Sequence, residues 1–268
     1  MIFAHRCLLA LSSLVVSHTD IRAQDEPVDA TDPTKIYTFA GGGLKYTDYT
    51  NGESMIEARA TGNIALTESD TLLFEFGYGW HDGDLVPGSN NNLTDLRFRW
   101  FHLYTIRYDV EKGYRGKGIN LDLQLAGNLK GTNGQNVLVA GIMPVFALGG
   151  DWDLYLTTAA VGSWDKKWEN FNGAGVSVNA QFIYSPSNWW QGAQIQIIPD
   201  YKYFLTGSLD GEGSGNLDFN IGGNFTNTVT WDATYQKNFD VDLNSHRRGM
   251  DTGLENDWNV FFNVTTYF

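Results

Sequence analysis

Arg97, Arg99 and Arg107 occupy positions of one parity, and side chains two apart in an extended chain point to the same face. In a strand they would stand as a ladder of guanidiniums. Glu57, Arg59, Glu75 and Asp122 fall on the polar parity of neighbouring segments, so carboxylates would face or adjoin that ladder. Fixed cations set against fixed anions across a water-filled space create a transverse field that sorts solutes by charge and dipole. The same groups paired tightly with one another would instead form a hydrogen-bonded plug. The residues leave both arrangements open.

Other groups carry weaker signals. His81 with Asp82 and Asp84 is a set in which a His–Asp pair and carboxylates could activate water, although short-spaced polar residues are also ordinary loop chemistry. Gly41, Gly42 and Gly43 lack the lysine and helix that follow in a phosphate-binding loop, and read as a bend in a tight strand. Asp210 and Glu212 lack the ordered oxygen pattern of a calcium loop. Lys166 and Lys167 beside Trp164, Trp168 and Phe171 suit an interfacial anchor or contact with lipopolysaccharide phosphates. With no metal-ligand spacing or cofactor motif, no metal or cofactor is expected.

The elements that must position these groups are strands. From Ile36 onward, segments of roughly 9 to 14 residues alternate apolar and polar side chains between Gly, Asn, Asp or Pro clusters, and about twelve can be counted. Leu72, Phe74, Phe76, Tyr78 and Trp80 oppose Glu75, Gly77, Gly79 and His81, and Ile119, Leu121, Leu123, Leu125 and Leu129 oppose Asn120, Asp122, Gln124 and Asn128. A fourth strand is expected over 96–108, which puts Arg107 on the same face as Arg97 and Arg99. The run 137–148 is apolar on both parities and contains Pro144, so a bulge or an inward-folding loop is expected there. Trp80, Trp100, Trp152, Trp231 and Trp258 share the apolar parity near segment ends, the positions of an aromatic girdle at a membrane interface.

The connections have a phase. Longer polar ones mostly follow odd segments, while turns at 66–70, 149–151, 185–190 and 226–228 follow even ones; 110–118 is the exception. An even-stranded membrane barrel with both ends periplasmic predicts this asymmetry, whereas a soluble sandwich does not. The expected fold is all-β, a transmembrane antiparallel up-and-down barrel of about 12 strands.

Residues 1–23 read as a signal peptide, with Arg6, the apolar run from Cys7 to Val16 and a cleavage site after Ala23. Residues 24–34 read as a flexible acidic leader and 35–268 as the barrel. The one cysteine lies in the signal segment, so no disulfide helps the mature chain. A net charge of −13 disfavours nucleic acid as a partner. A mean hydropathy of −0.28 excludes a bundle of membrane helices but not a barrel, where only alternate residues meet lipid.

The final segment sets Trp258, Val260, Phe262, Val264 and Phe268 on one parity. It resembles the C-terminal assembly signal of Gram-negative outer-membrane β-barrels, in which a terminal aromatic and alternating apolar residues are read by the barrel-insertion machinery. Thr266 stands where that family usually has an apolar residue, and Tyr267 is shifted by one. The resemblance implies an outer-membrane location. Its implied partners are the lipid bilayer, lipopolysaccharide and the barrel-assembly machinery, for a porin-like monomer. Parity predicts that Tyr267 enters the lumen, that Phe268 meets lipid, and that the last strand pairs with the one near 36–46.

Strand count, size and aromatic content also resemble the nucleoside-specific channels, without a shared motif from which a binding residue follows. Outer-membrane phospholipase A is similar in strand count, but its His-x-Ser pair has no match here, since Tyr104 follows His102. The expected function is passive diffusion of small hydrophilic solutes through a narrow pore. The alternatives are a plugged structural or adhesive barrel and an outer-membrane hydrolase.

Overall fold

The computed structural model describes residues 35–50, 52–82, 90–126, 135–242 and 256–268. The expected signal peptide and acidic leader lie outside the described residues, as do Asp84, Asn128, Leu129 and the loop bearing His246, Arg247 and Arg248. Twelve strands run in chain order: β1 Phe39–Tyr49, β2 Ser54–Ala65, β3 Asp70–His81, β4 Asn91–Leu103, β5 Gly113–Ala126 and β6 Gln135–Gly149, then β7 Trp152–Asp165, β8 Phe171–Tyr184, β9 Gln194–Phe204, β10 Glu212–Asn224, β11 Val229–Asp242 and β12 Asn256–Tyr267. Each pairs antiparallel with the next, and β12 pairs with β1, so the sheet closes into a barrel. Closure satisfies every strand edge, a requirement in hydrocarbon.

Phe39 pairs with Tyr267, so the first and last strands meet at one end, here termed the terminal mouth; the opposite end is the far mouth. The apolar parity faces outward. Leu44, Ile56, Phe76, Ile142, Phe219 and Phe262 are all exposed on the exterior, while Thr47, Glu57, Asn120, Asp122 and Asn259 are buried in the lumen. Tyr267 turns inward against Phe39 and Tyr37, and Phe268 is exposed, as the alternation requires. The glycine triplet, ambiguous by pattern, resolves in register: Gly42 lies opposite outward Val264, and Gly41 and Gly43 opposite inward Thr265 and Asn263.

Trp80 and Trp258 stand on the exterior near the far mouth, Trp80 against Tyr78 and Trp258 between Tyr46 and Tyr235. Around the terminal mouth the rings form a near-continuous belt, from Trp152 stacked on Tyr184, through Trp189 and Trp190, to Trp231 and Phe225. Trp100 lies in the same terminal belt on β4, stacked with His102, whose Nδ1 is 3.0 Å from Asp70 Oδ1. That bond and the interfacial depth are what a lipid-facing imidazole needs. An apolar exterior between two aromatic belts on a closed barrel is the surface of an outer-membrane protein.

One strand expectation changes, and another is placed more closely. β4 ends at Leu103 instead of continuing to 108, and Arg107 is exposed in the following connection, where Nη2 donates to the Tyr114 carbonyl. It is therefore not a lumen residue: the regular ladder ends at Leu103, and although the Arg107 amide still donates to the Arg115 carbonyl of β5 at 2.9 Å, strand parity has no meaning past that end. The expected run does hold an irregularity, where the β6–β7 register shifts between Ala147 and Gly149, but it does not sit at Pro144. That proline keeps its place opposite Lys117 on β5, while the ladder to β7 is interrupted between Ile142 and Val145, where proline has no N–H to offer.

The apolar inward parity of β6 has a clear use. Val137 and Val139 join Val161, Phe204 and Leu209 in a cluster at the far mouth. Met143 and Val145 join Leu103, Tyr155 and Ile183 at the terminal mouth, with Ile36, Phe101 and Ile106 packed against them. Both clusters line the β4–β9 side of the lumen, leaving the remaining wall polar.

Candidate functional site: the lumen

The charged network is built on β2–β5. Register places Glu75 opposite Arg97, and Arg99 opposite Asp122, yet the ion pairs are diagonal. Arg97 donates from Nε and Nη2 to the two oxygens of Asp122, at 2.9 and 2.5 Å, a bidentate fit. Gln124 Nε2 donates to the same carboxylate at 2.9 Å. Arg99 pairs with Glu75, which also receives Arg59 Nη2 at 3.2 Å. Arg59 lies 3.2 Å from Glu57 through Nε and sits over the Phe261 ring at 5.3 Å, a cation–π contact. Six of the seven residues singled out by facing thus meet in one network, without Arg107.

Glu57 is 1 % exposed and receives Thr94 Oγ1 at 2.5 Å. Its carboxylate reaches from β2 across β3 to β4, which needs a gap in between. Gly77 supplies it: a Cβ there would sit 2.8 Å from the Glu57 carboxyl and 2.7 Å from Thr94 Oγ1. Thr94 itself occupies an irregularity in the β3–β4 ladder near Gly77 and Tyr78. Neither partner was legible from alternation. The pair of glycines at Gly77 and Gly79, on the inward parity of an aromatic strand, was the available signal.

The facing wall, β8–β12, is lined by carboxamides and carboxylates. Gln181 donates to Gln196 at 2.7 Å, and Gln196 to Gln194 at 2.6 Å. Asn179 and Lys202 hold Asp200 at 3.1 Å each, and Gln236 holds Asp218 at 2.8 Å. Asn220 and Asn263 each turn an NH₂ toward one oxygen of Asp232, at 3.3 and 3.2 Å. A cavity of about 330 Å³ separates the walls in the terminal half of the lumen, with Arg99 and Glu75 on one side and Gln194, Asn220, Asp232 and Asn263 on the other.

At the far rim, His81 is buried against the Tyr49 ring. Its Nδ1 is 3.9 Å from Asp82, and Ser54 Oγ donates to Asp82 at 3.0 Å. A hydrolytic triad needs the imidazole next to the nucleophile; here the serine bonds the carboxylate instead. The Ser54 amide and hydroxyl, donating to Asp82 at 2.8 and 3.0 Å, hold its carboxyl below the usual Asp range, the backbone donor contributing most. A depressed carboxylate stabilises the fold above its unfolded value, about 3.9, and that contribution is lost as pH falls through the folded value. The Ser54 amide is therefore expected to be more protected, relative to its intrinsic exchange rate at each pH, at neutral pH than in acid. Asp82→Asn should lower that protection at neutral pH and flatten its pH dependence, as read by hydrogen-exchange mass spectrometry.

The connection 166–170 carries an exposed aromatic group. Trp164 contacts Trp168 and Phe171 with ring centroids 5.3 Å apart in each case. Trp168 holds φ at 64°, a left-handed conformation uncommon outside glycine.

No protein-family model matches this chain, and no curated protein matches it by sequence. Among solved structures it is similar to the COG4313 outer-membrane channel from Pseudomonas putida F1, with 13% identity, a TM-score of 0.57 and coverage of 93% of this chain and 100% of that one. Outer-membrane phospholipase A from Escherichia coli matches with 8% identity, a TM-score of 0.47 and coverage of 96% of each chain. OccAB2 of Acinetobacter baumannii matches with 9% identity, a TM-score of 0.38 and coverage of 84% and 59%. The first likeness is one of fold, a porin-like outer-membrane barrel. It lends nothing to the nucleoside-specific subtype, which rested on size and strand count.

Proposed function

We propose that this barrel is a channel for passive diffusion of small hydrophilic solutes across the outer membrane. The observation that carries this reading is the polar cavity between the charge-paired arginine wall and the carboxamide wall. An apolar or fully packed lumen would have no use for buried amides and carboxylates, which cost free energy unless hydrated or hydrogen-bonded. The pairing of Arg97 with Asp122 and of Arg99 with Glu75 leaves a wall of alternating fixed charges with little net sign. Such a wall favours dipolar solutes over simple anions. Folded protein in a planar bilayer should give stable single-channel steps, and their complete absence would end this reading.

A closed structural or adhesive barrel is the second reading, and the apolar clusters at both mouths favour it. They narrow the same side of the lumen at each end. The two readings part at Leu209, 1 % exposed and inserted from the 205–211 connection against Val139, Val161 and Phe204. Leu209→Asp places an unpaired carboxylate in that cluster, which expels it. In a channel, the connection should lift and single-channel conductance rise; in a closed barrel, conductance should stay at zero.

A hydrolase has the least support. The outward His102 bonds Asp70, stacks on Trp100 and meets the Tyr104 ring edge-on, with no serine in that contact set.

A further inference from the structure

Asp232 differs from most lumen carboxylates; Asp218, held by the Gln236 amide, also has no ion pair among the described residues, but only Asp232 of the two lines the cavity. Asp122 and Glu75 are neutralised by arginine, and Asp200 by Lys202. Among the described residues, Asp232 is met only by two amide donors, Asn220 and Asn263. Those donors orient the amides. Because each NH₂ must face the carboxylate, and each also donates to a hydroxyl, Thr234 for Asn220 and Thr265 for Asn263, both Oδ1 atoms point elsewhere. Neither has a hydrogen-bond partner among the described residues, and Asn263 is only 7 % exposed. Among the described residues, Arg99 Nε across the cavity and Thr61 Oγ1, which flanks Gly41 with Thr265, are likewise unpartnered. All four residues line the 330 Å³ space, which lies at the lower end of the volumes that hold a small ligand.

The cavity therefore has one uncompensated negative charge, two carbonyl-type acceptors beside it, and a neutral Arg99–Glu75 pair opposite. Buried polar groups in native proteins are normally satisfied, so this set describes the complement of what fits it: one positive charge, donors for the two carbonyl oxygens and an acceptor for Arg99 Nε. We infer that the cavity is a binding site for a small organic cation that carries an ammonium group and further hydrogen-bond donors, with the ammonium on Asp232 and donors to Asn220 and Asn263. This inference rests on the reading of the lumen as a solute path and names the chemical class of the solute.

D-glucosamine and D-glucose provide a matched pair of probes, since they differ in the ammonium alone at a pH where the amine is protonated. The full barrel, refolded in detergent micelles, is titrated with each sugar by calorimetry. Glucosamine should bind about tenfold or more tightly than glucose. Asp232→Asn should bring the two within about twofold, while Asp200→Asn, whose carboxylate already has Lys202, should leave the preference in place. Folding of each variant is checked by its heat-modifiable migration on a gel. Equal binding of both sugars by the unmodified protein overturns the inference whether or not Asp232→Asn folds, as does a preference that survives that substitution, or no binding of either sugar. The titration needs no transport. Lost preference with conductance intact removes this site only, whereas intact preference without conductance removes the channel and keeps the site.

Discussion

Replacing Arg97 and Arg99 together by alanine should make the pore more cation-selective, raising the potassium-over-chloride permeability ratio about three- to tenfold, equivalent to roughly 0.6–1.4 kcal/mol. The sign follows from the pairing. Asp122 would keep only Gln124, and Glu75 only Arg59, so the wall would lose two positive charges while its carboxylates stay. The effect is held to this size because lumen water screens each charge. Reversal potentials across a salt gradient measure it, and an unchanged potential would mean that these residues do not border the ion path. Stability should fall as well. Asp122 is 4 % exposed, and stripping a buried carboxylate of its arginine costs about 3–5 kcal/mol. Asp122→Asn with Arg97 retained should shift selectivity the opposite way, toward anions.

Gly43→Ala should prevent the barrel from closing. Gly43 lies in β1 at the seam with β12, and a Cβ built there would stand 1.9 Å from the Phe262 carbonyl oxygen and 2.9 Å from the Asn263 Cα. Those are backbone atoms of the pairing strand, so no rotamer change can make room. The strand would have to separate, exposing unpaired amides and carbonyls to lipid at several kcal/mol each. The expected loss exceeds the roughly 1–3 kcal/mol typical of overpacking in a core. Refolded protein should lack the heat-modifiable form on a gel. Gly42→Ala is the control, since its nearest contact is the Arg59 carbonyl oxygen at 3.1 Å, and it should fold with a modest loss. Equal behaviour of the two variants would contradict the seam geometry.

The alternation of the chain was enough to read the strands, and the phase of long and short connections separated a membrane barrel from a sandwich, whose strands alternate equally well. Alternation also set Tyr267 inside and Phe268 outside, and brought the last strand back to the first. Proline and apolar parity in 137–148 announced an irregular strand. The cause lay elsewhere: the inward apolar residues of β6 feed two separate clusters whose other members come from β4, β7, β8, β9 and the 205–211 connection. Those contacts join residues far apart in the chain, and no local pattern encodes them.

The lumen shows the same division. Facing alone collected Glu57, Arg59, Glu75, Arg97, Arg99 and Asp122, since membership of the inner wall is a matter of parity within one strand. It also admitted Arg107, since parity cannot tell where a strand stops. Which charge pairs with which was decided by the tertiary structure: the diagonal offset between β3, β4 and β5, the gap at Gly77 that lets Glu57 reach Thr94, and the closure that brings β11 across from β4. The sequence by itself determined that a row of arginines and a set of acids would share the inside of a barrel, because hydrophobic alternation is written residue by residue. Only the closed structure decided that the arginines are neutralised on their own wall and that Asp232 faces them across open space, because pairing depends on register between strands and not on any one of them.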